Sequence, residues 1–236
     1  MKKGEGTYNL VVIGAGTAGL VTAAGAVALG ARVALIERHR MGGDCLNFGC
    51  VPSKALISSA RLLQRIRDAK KWGIEGARAG NSFATIFASM RAQRAELAPH
   101  DSAERFESLG VDVFLGEASF VSPEEVVVQG QKLRAKNFVI ATGTRAALPR
   151  IEGLGGIRYF TNETIFDELV EKPDAMLVLG GGPIGCELAQ AFSRLGVEVT
   201  ILQHGPRLLD KEDHSVSDFA RERLEANGVK VLTGGA

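Results

Sequence analysis

The sequence predicts an α/β protein in which a strand, a glycine turn, a helix and a second strand occur twice, the second time in an incomplete unit. Three observations predict it. The 236 residues are 45% hydrophobic and 23% charged, the composition of an ordinary globular protein rather than a disordered chain. The chain also matches itself at an offset of 166 residues. Asn9 to Ile13 followed by Gly14-Ala-Gly-Thr-Ala-Gly19 falls on Ala175 to Leu179 followed by Gly180-Gly-Gly-Pro-Ile-Gly185. Leu29-Gly30 then falls on Leu195-Gly196, Arg32 to Ile36 on Glu198 to Leu202, and Glu37 on Gln203. Between the copies, from Val111 to Ile140, the pattern turns to VDVFLG, ASFV, EVVVQG and KLRAKNFVIA, short strand candidates separated by Gly or Pro-Glu turns.

Each repeat reads as a dinucleotide-binding fingerprint. Gly14 and Gly180 permit the tight turn, Gly16 and Gly182 let a pyrophosphate approach bare backbone, and Gly19 and Gly185 let helix and strand pack closely. The helix N-terminus adds amide donors and a positive dipole end. Glu37 and Gln203, each 23 positions after its first glycine, close the second strand where a ribose would lie. One such motif is weak evidence; two in register, each in strand-turn-helix context, leave glycine turns in an ordinary α/β sheet as the lesser reading.

Further along, Pro52 to about Lys71 reads as an amphipathic helix with Leu56, Leu63 and Ile66 on one side, and Ser82 to Glu96 as a second helix. Glycine and proline gather in Pro149 to Gly156, which reads as the linker, so two domains are expected at 1–152 and 153–236. The net charge of +1 and the lack of basic runs interleaved with aromatics argue against nucleic acid as a partner. Met1-Lys2-Lys3 ahead of the apolar stretch Leu10 to Ile36 superficially resembles an export signal or membrane anchor. Five glycines and Arg32 interrupt that stretch, so neither export nor a membrane is expected. Three cysteines, two close and one remote, suit a cytoplasmic redox or metal role better than a secreted disulfide scaffold.

The two close cysteines lie in GGDCLNFGCVPSK, residues 42 to 54. Four residues separate Cys45 from Cys50, enough for a small disulfide loop if the chain turns between them. Pro52 suits the first turn of a helix, which places Cys50 near a helix N-terminus, where a thiolate is stabilised. Metal binding is the main rival, but zinc needs two further Cys or His ligands and only His39 is near. A pair of inert thiols is the third reading. Cys186 reads as a packing residue, and His39, His100, His204 and His214 lack a convincing acid partner; His100 and Glu104 share helical spacing, as a surface pair would.

The string GGDCLNFGCVPSK resembles the active-site signature of the class I pyridine nucleotide-disulfide oxidoreductases, a group that includes dihydrolipoamide dehydrogenase, glutathione reductase and mercuric reductase. The resemblance runs along the whole chain and implies Rossmann-like FAD- and NAD(P)-binding folds of the three-layer ββα type. It implies that Cys45 and Cys50 form a redox disulfide against the flavin, with Cys50 proximal and Cys45 exchanging with substrate. Lys54 matches the lysine near the flavin ring and Glu187 the acid that pairs with it. Gly14, Gly16, Gly19, Glu37, Gly43, Asp44, Gly116, Ala118, Ala141, Thr142 and Gly143 match FAD contacts, and Gly180, Gly182, Gly185 and Gln203 match the nicotinamide nucleotide site. Gln203 without an evident phosphate clamp, Arg207 apart, favours NAD over NADP. Pro183 stands where several members carry a flavin-stacking Tyr, which favours the mercuric reductase-like branch.

The implied reaction carries electrons from a reduced nicotinamide through FAD to the disulfide and on to a disulfide or metal-ion acceptor. Members of the family continue beyond the point corresponding to Ala236 into a dimerisation domain that supplies a His-Glu pair, and they are homodimers. The chain is therefore expected to be the N-terminal part of such an enzyme, with a stand-alone nucleotide-binding module without turnover as the alternative.

Overall fold

The computed structural model describes residues 3–235; Met1, Lys2 and Ala236, at the ends of the two expected domains, lie outside the described residues. In chain order the elements are β1 (Thr7–Ile13), α1 (Thr17–Ala28), β2 (Val33–Glu37), α2 (Gly43–Phe48), α3 (Cys50–Arg67), α4 (Phe83–Leu97), α5 (Ala103–Ser108), β3 (Asp112–Leu115), β4 (Ala118–Ser122), β5 (Glu125–Val128) and β6 (Gln131–Ile140). They continue with α6 (Ile165–Glu168), β7 (Ala175–Leu179), α7 (Pro183–Arg194), β8 (Glu198–Gln203), α8 (His214–Glu225) and β9 (Lys230–Thr233). Two compact units emerge: Met1–Pro52 with Ala92–Phe166, and Ser53–Arg91 with Asp167–Ala236.

The first unit is built on a six-stranded sheet in the order β3-β2-β1-β6-β5-β4. The strands from β3 to β6 run parallel, and β4, β5 and β6 form an antiparallel arm. Side chains alternate along β2 and so feed two separate cores. Val33 and Leu35 join Val12, Leu20, Ala23 and Phe106 on the side covered by α1 and α5, whereas Ala34 and Ile36 join Tyr8, Val11, Val126 and Val128. The second group places valines of β5 in one cluster with residues of β2, so the antiparallel arm curls over the parallel strands. This is the three-layer ββα arrangement. Burial of β1 on both faces explains its unbroken apolar run Leu10 to Ile13, which a strand with one wet face would not show.

The second unit carries the parallel sheet β7-β8-β9 with α7 and α8 as its Rossmann helices. The three fully or nearly buried rings Phe83, Phe87 and Phe192 pack α4 against α7, with centroids 4.5 to 6.3 Å apart. The amphipathic helix expected to reach about Lys71 stops as α3 at Arg67 and continues as a 3-10 turn, Ala69–Trp72, ended by Gly73 in the left-handed region. Spacing alone could not distinguish the tighter turn from a last α-helical one. His100 and Glu104 do not lie on one helix: the chain breaks at Ser102, whose hydroxyl caps α5 by accepting from Arg105 N–H. Glu104 instead accepts from its own backbone N–H and then from the Ser102 side chain, which together hold its carboxyl below the usual range, and among the described residues no ion pair joins it to His100.

Candidate active site

The duplication seen in the sequence extends to atomic detail. Gly14 and Gly180 both take φ near +107° (+106° and +107°), the left-handed side that only glycine adopts freely. A Cβ on Gly19 would lie 1.8 Å from Gly14 O, and one on Gly185 would lie 2.1 Å from Gly180 O, so helix and turn touch through bare backbone in both units. Ala15 N–H donates to Glu37 Oε2 at 2.7 Å, and Gly181 N–H donates to Gln203 Oε1 at 2.7 Å. In each unit the residue ending the second strand is therefore locked to the turn that a phosphate would approach.

In the first unit this turn opens on a cavity of about 560 Å³. Gly14, Gly16, Glu37, Gly43, Asp44, Cys45, Gly116, Ala118, Ala141, Thr142 and Gly143 all line it, so the structure gathers into one cleft most residues the sequence nominated for the flavin. Gly19 stands behind the turn. A Cβ on Gly43 would fall 2.5 Å from Gly16 Cα, so the two strips of backbone meet with no side chain between them. His39 N–H donates to the second oxygen of Glu37 at 2.7 Å. Each oxygen keeps a lone pair free, as a ribose hydroxyl needs. A long cleft with bare amides at its turn and a fixed carboxylate at the strand end fits FAD.

Sequence reasoning missed several lining residues. Arg38, His39 and Arg40 follow Glu37 directly and line the cleft, a position that adjacency alone could have suggested. Arg145 also lines it and is held by Glu163 at 2.9 Å, while Glu163 takes Ala146 N–H on its other oxygen at 3.1 Å. Nothing in the local pattern of this irregular segment announces that clamp. Thr17, the first residue of α1, hydrogen-bonds Cys45.

Cys45 lies in α2 and Cys50 opens α3, with Gly49 between the helices making the turn that lets them meet. The two side chains hydrogen-bond each other as free thiols. Burial, and next the bond to Cys50 and its charge, push the Cys45 thiol up; hydrogen bonds from Thr17 and from the Cys50 backbone oppose this. Cys186 is half-buried beside the second glycine turn, with Sγ 3.4 Å from Gly181 O, and burial followed by the charge of Glu187 pushes it up to about 11. His39 stacks on Phe48 at 6.1 Å, and among the described residues no group of three or more His, Cys, Asp or Glu gathers as a metal site.

Lys54 lies one turn beyond Cys50 on α3, and its Nζ donates to both oxygens of Glu187 at 2.7 and 2.6 Å. Both side chains are about half exposed (58% and 42%), so the pair contributes less than about 1 kcal/mol to stability. Gly180, Gly182 and Gly185 surround the second turn, with Gln203 bonded to it.

Fold and site together join a duplicated glycine-turn unit to a pair of adjoining thiols. Residues 8–236 match the family model described as pyridine nucleotide-disulphide oxidoreductase, and the chain belongs to that family. It is 36% identical over 230 residues to the mercuric reductase of Lysinibacillus sphaericus, covering 98% of this chain and 42% of the relative. It is 34% identical over 255 residues to a dihydrolipoyl dehydrogenase of Rhizobium etli (96% and 51%), and 33% identical over 228 residues to a glutathione reductase of Burkholderia cepacia (96% and 50%). Among solved structures, the HOCl-induced flavoprotein disulfide reductase RclA of Escherichia coli superposes with a TM-score of 0.80 at 28% identity, covering 97% of this chain and 49% of that one. The chain spans about half the length of the curated relatives it matches. No described helix is long and apolar enough to cross a membrane.

Proposed function

We propose that this chain carries the flavin and dithiol machinery of an enzyme that moves electrons from a reduced nicotinamide to a disulfide or metal-ion acceptor. The observation that carries the reading is the contact between Cys45 and Cys50 beside a glycine-lined cleft. Bound FAD would supply a ring able to take a hydride and pass on two electrons. The glycine turn and Glu37 would bind and orient it, Cys45 and Cys50 interconvert between disulfide and two thiols, and Lys54 with Glu187 holds a fixed pair of opposite charges one turn beyond Cys50 on α3. Reducing the disulfide takes two electrons and two protons. With a disulfide acceptor the Cys45 thiolate breaks the acceptor's S–S bond, releasing one thiol and forming a mixed disulfide, and Cys50 then attacks Cys45, releasing the second thiol as the Cys45–Cys50 disulfide re-forms. The NAD(P)-binding turn is that of Gly180, Gly182 and Gly185.

NAD is the preferred nucleotide in this reading. Gln203 uses its carbonyl on Gly181 N–H, which leaves its NH₂ to donate to a ribose oxygen. Arg207, the one candidate for a 2′-phosphate, spends Nη2 on Asp210 O at 2.8 Å, and its Nη1 is buried without a hydrogen-bond partner among the described residues, withdrawn from solvent. ADP-ribose should therefore bind about tenfold more tightly than its 2′-phosphorylated form, measured by calorimetry.

Anaerobic titration of the flavin-loaded protein with NADH tests the central reading. The wild type should take up about two reducing equivalents more than the Cys45→Ala/Cys50→Ala variant, because a disulfide accepts two electrons. Equal uptake by both proteins would remove the dithiol from the pathway.

A further inference from the structure

A second cavity, of about 340 Å³, lies wholly within the second unit and plays no part in the chemistry above. Arg61 and Arg65 reach it from one face of α3, Arg194 from the end of α7, and Trp72 from the 3-10 turn that follows α3. Like charges one helical turn apart disfavour the helix, and such charges on a solvated face are ordinarily interspersed with acids. Here the one acid in the cavity, Asp68, is already engaged: Lys71 holds one oxygen at 2.7 Å and Gln64 the other at 3.0 Å. Among the described residues Arg61 and Arg65 have no ion-pair or hydrogen-bond partner. Arg194 is fixed through Nε to Asn227 Oδ1 at 2.6 Å, and its Nη groups meet no acceptor among the described residues. Its guanidinium is held below the usual range, first by burial and then by the charge of Arg61, with the charge of Asp68 opposing them in part. Charges are thus gathered at a cost to one another, with their donors left open.

The remaining wall is as informative. Trp72 is the sole tryptophan of the chain and is 80% exposed, a large indole kept in water at the cavity's edge. Forked guanidiniums match the oxygens of a phosphate, and an exposed indole stacks on a planar base. A cavity of this size suits a mononucleotide rather than a dinucleotide. We propose that this cleft binds a nucleoside monophosphate, its phosphate on Arg61, Arg65 and Arg194 and its base on Trp72.

Because the chain has one tryptophan, all indole emission comes from the wall of this cleft, and the arginine variants separate binding there from events elsewhere. The flavin-loaded full chain is titrated at constant ionic strength with AMP, inorganic phosphate or adenosine. Saturable quenching by AMP is expected, with either half-probe weaker by about tenfold or more. Arg61→Ala/Arg65→Ala, whose exposed positions leave the far-UV spectrum unchanged, should weaken AMP by about a hundredfold, and Arg61→Lys/Arg65→Lys by about tenfold, since charge without the fork keeps part of the contact. No saturable response to AMP, phosphate matching AMP, or arginine variants that bind like wild type would each overturn the proposal.

Discussion

At the scale of single residues, the proposed chemistry rests on one pair of thiols and one surface ion pair. Cys45 is pushed up by burial and then by Cys50, so removing Cys50 should lower it. In Cys50→Ala the alkylation rate of Cys45 should rise at lower pH than in the reduced wild type, followed by mass spectrometry across pH 6 to about 10. An unchanged profile would mean that burial alone governs it. Glu187→Gln tests the other pair. Its solvent-screened contact predicts a stability change below about 1 kcal/mol, whereas flavin reduction by NADH should slow by about tenfold or more, and an unchanged rate would remove the pair from electron transfer. Thiol pair and acid were legible in the sequence because each sits inside a recognisable local string. The Glu163 clamp on Arg145 was not, because it joins irregular segments whose residues carry no periodicity.

At the scale of elements, the turns and strands of each repeat follow from hydrophobic runs punctuated by glycine, and those were legible. The elements that escaped are short or locally ambiguous. The six-residue α2 begins at Gly42 and Gly43, both with positive φ, which as a sequence pattern look like a loop. α5 depends on the Ser102 cap, which also breaks the His100–Glu104 spacing. The glycine turn itself can be tested. Gly14→Ala places a Cβ 2.1 Å from Ala141 O in a backbone region hostile to side chains, and should cost more than about 2 kcal/mol in urea unfolding while abolishing retention of added FAD. Tyr8 tests the sheet. Fully buried on β1, it donates to Asp112 at 2.6 Å, and burial followed by that bond pushes it up to about 12. Since the unfolded phenol titrates near 10, the folded state favours the neutral form. Its contribution, at most about 3 kcal/mol, is present below about pH 10 and lost as pH rises through about 12. Tyr8→Phe should remove that alkaline loss, seen as a flatter dependence of the urea midpoint on pH.

At the scale of the whole molecule, the two repeats share one geometry and differ by small substitutions at equivalent points. Glu37 and Gln203 occupy the same place and bond the same turn amide, yet one keeps free carboxylate lone pairs and the other presents an amide. The first repeat is followed by the cysteine helices, and the second by none. Family membership and the duplicated fold were readable because both depend on ordered motifs. The grouping of residues 53–91 with 167–236 depends on packing such as Phe83 and Phe87 against Phe192, which no linear pattern displays. The account stands on Cys45 and Cys50 being the pair that changes redox state. Differential alkylation with mass spectrometry tests this directly: one label before and a second after anaerobic reduction of the oxidised, flavin-loaded protein by NADH. The second label should appear on Cys45 and Cys50 together, with Cys186 unchanged; label confined to Cys186, or both thiols already free before reduction, would contradict it.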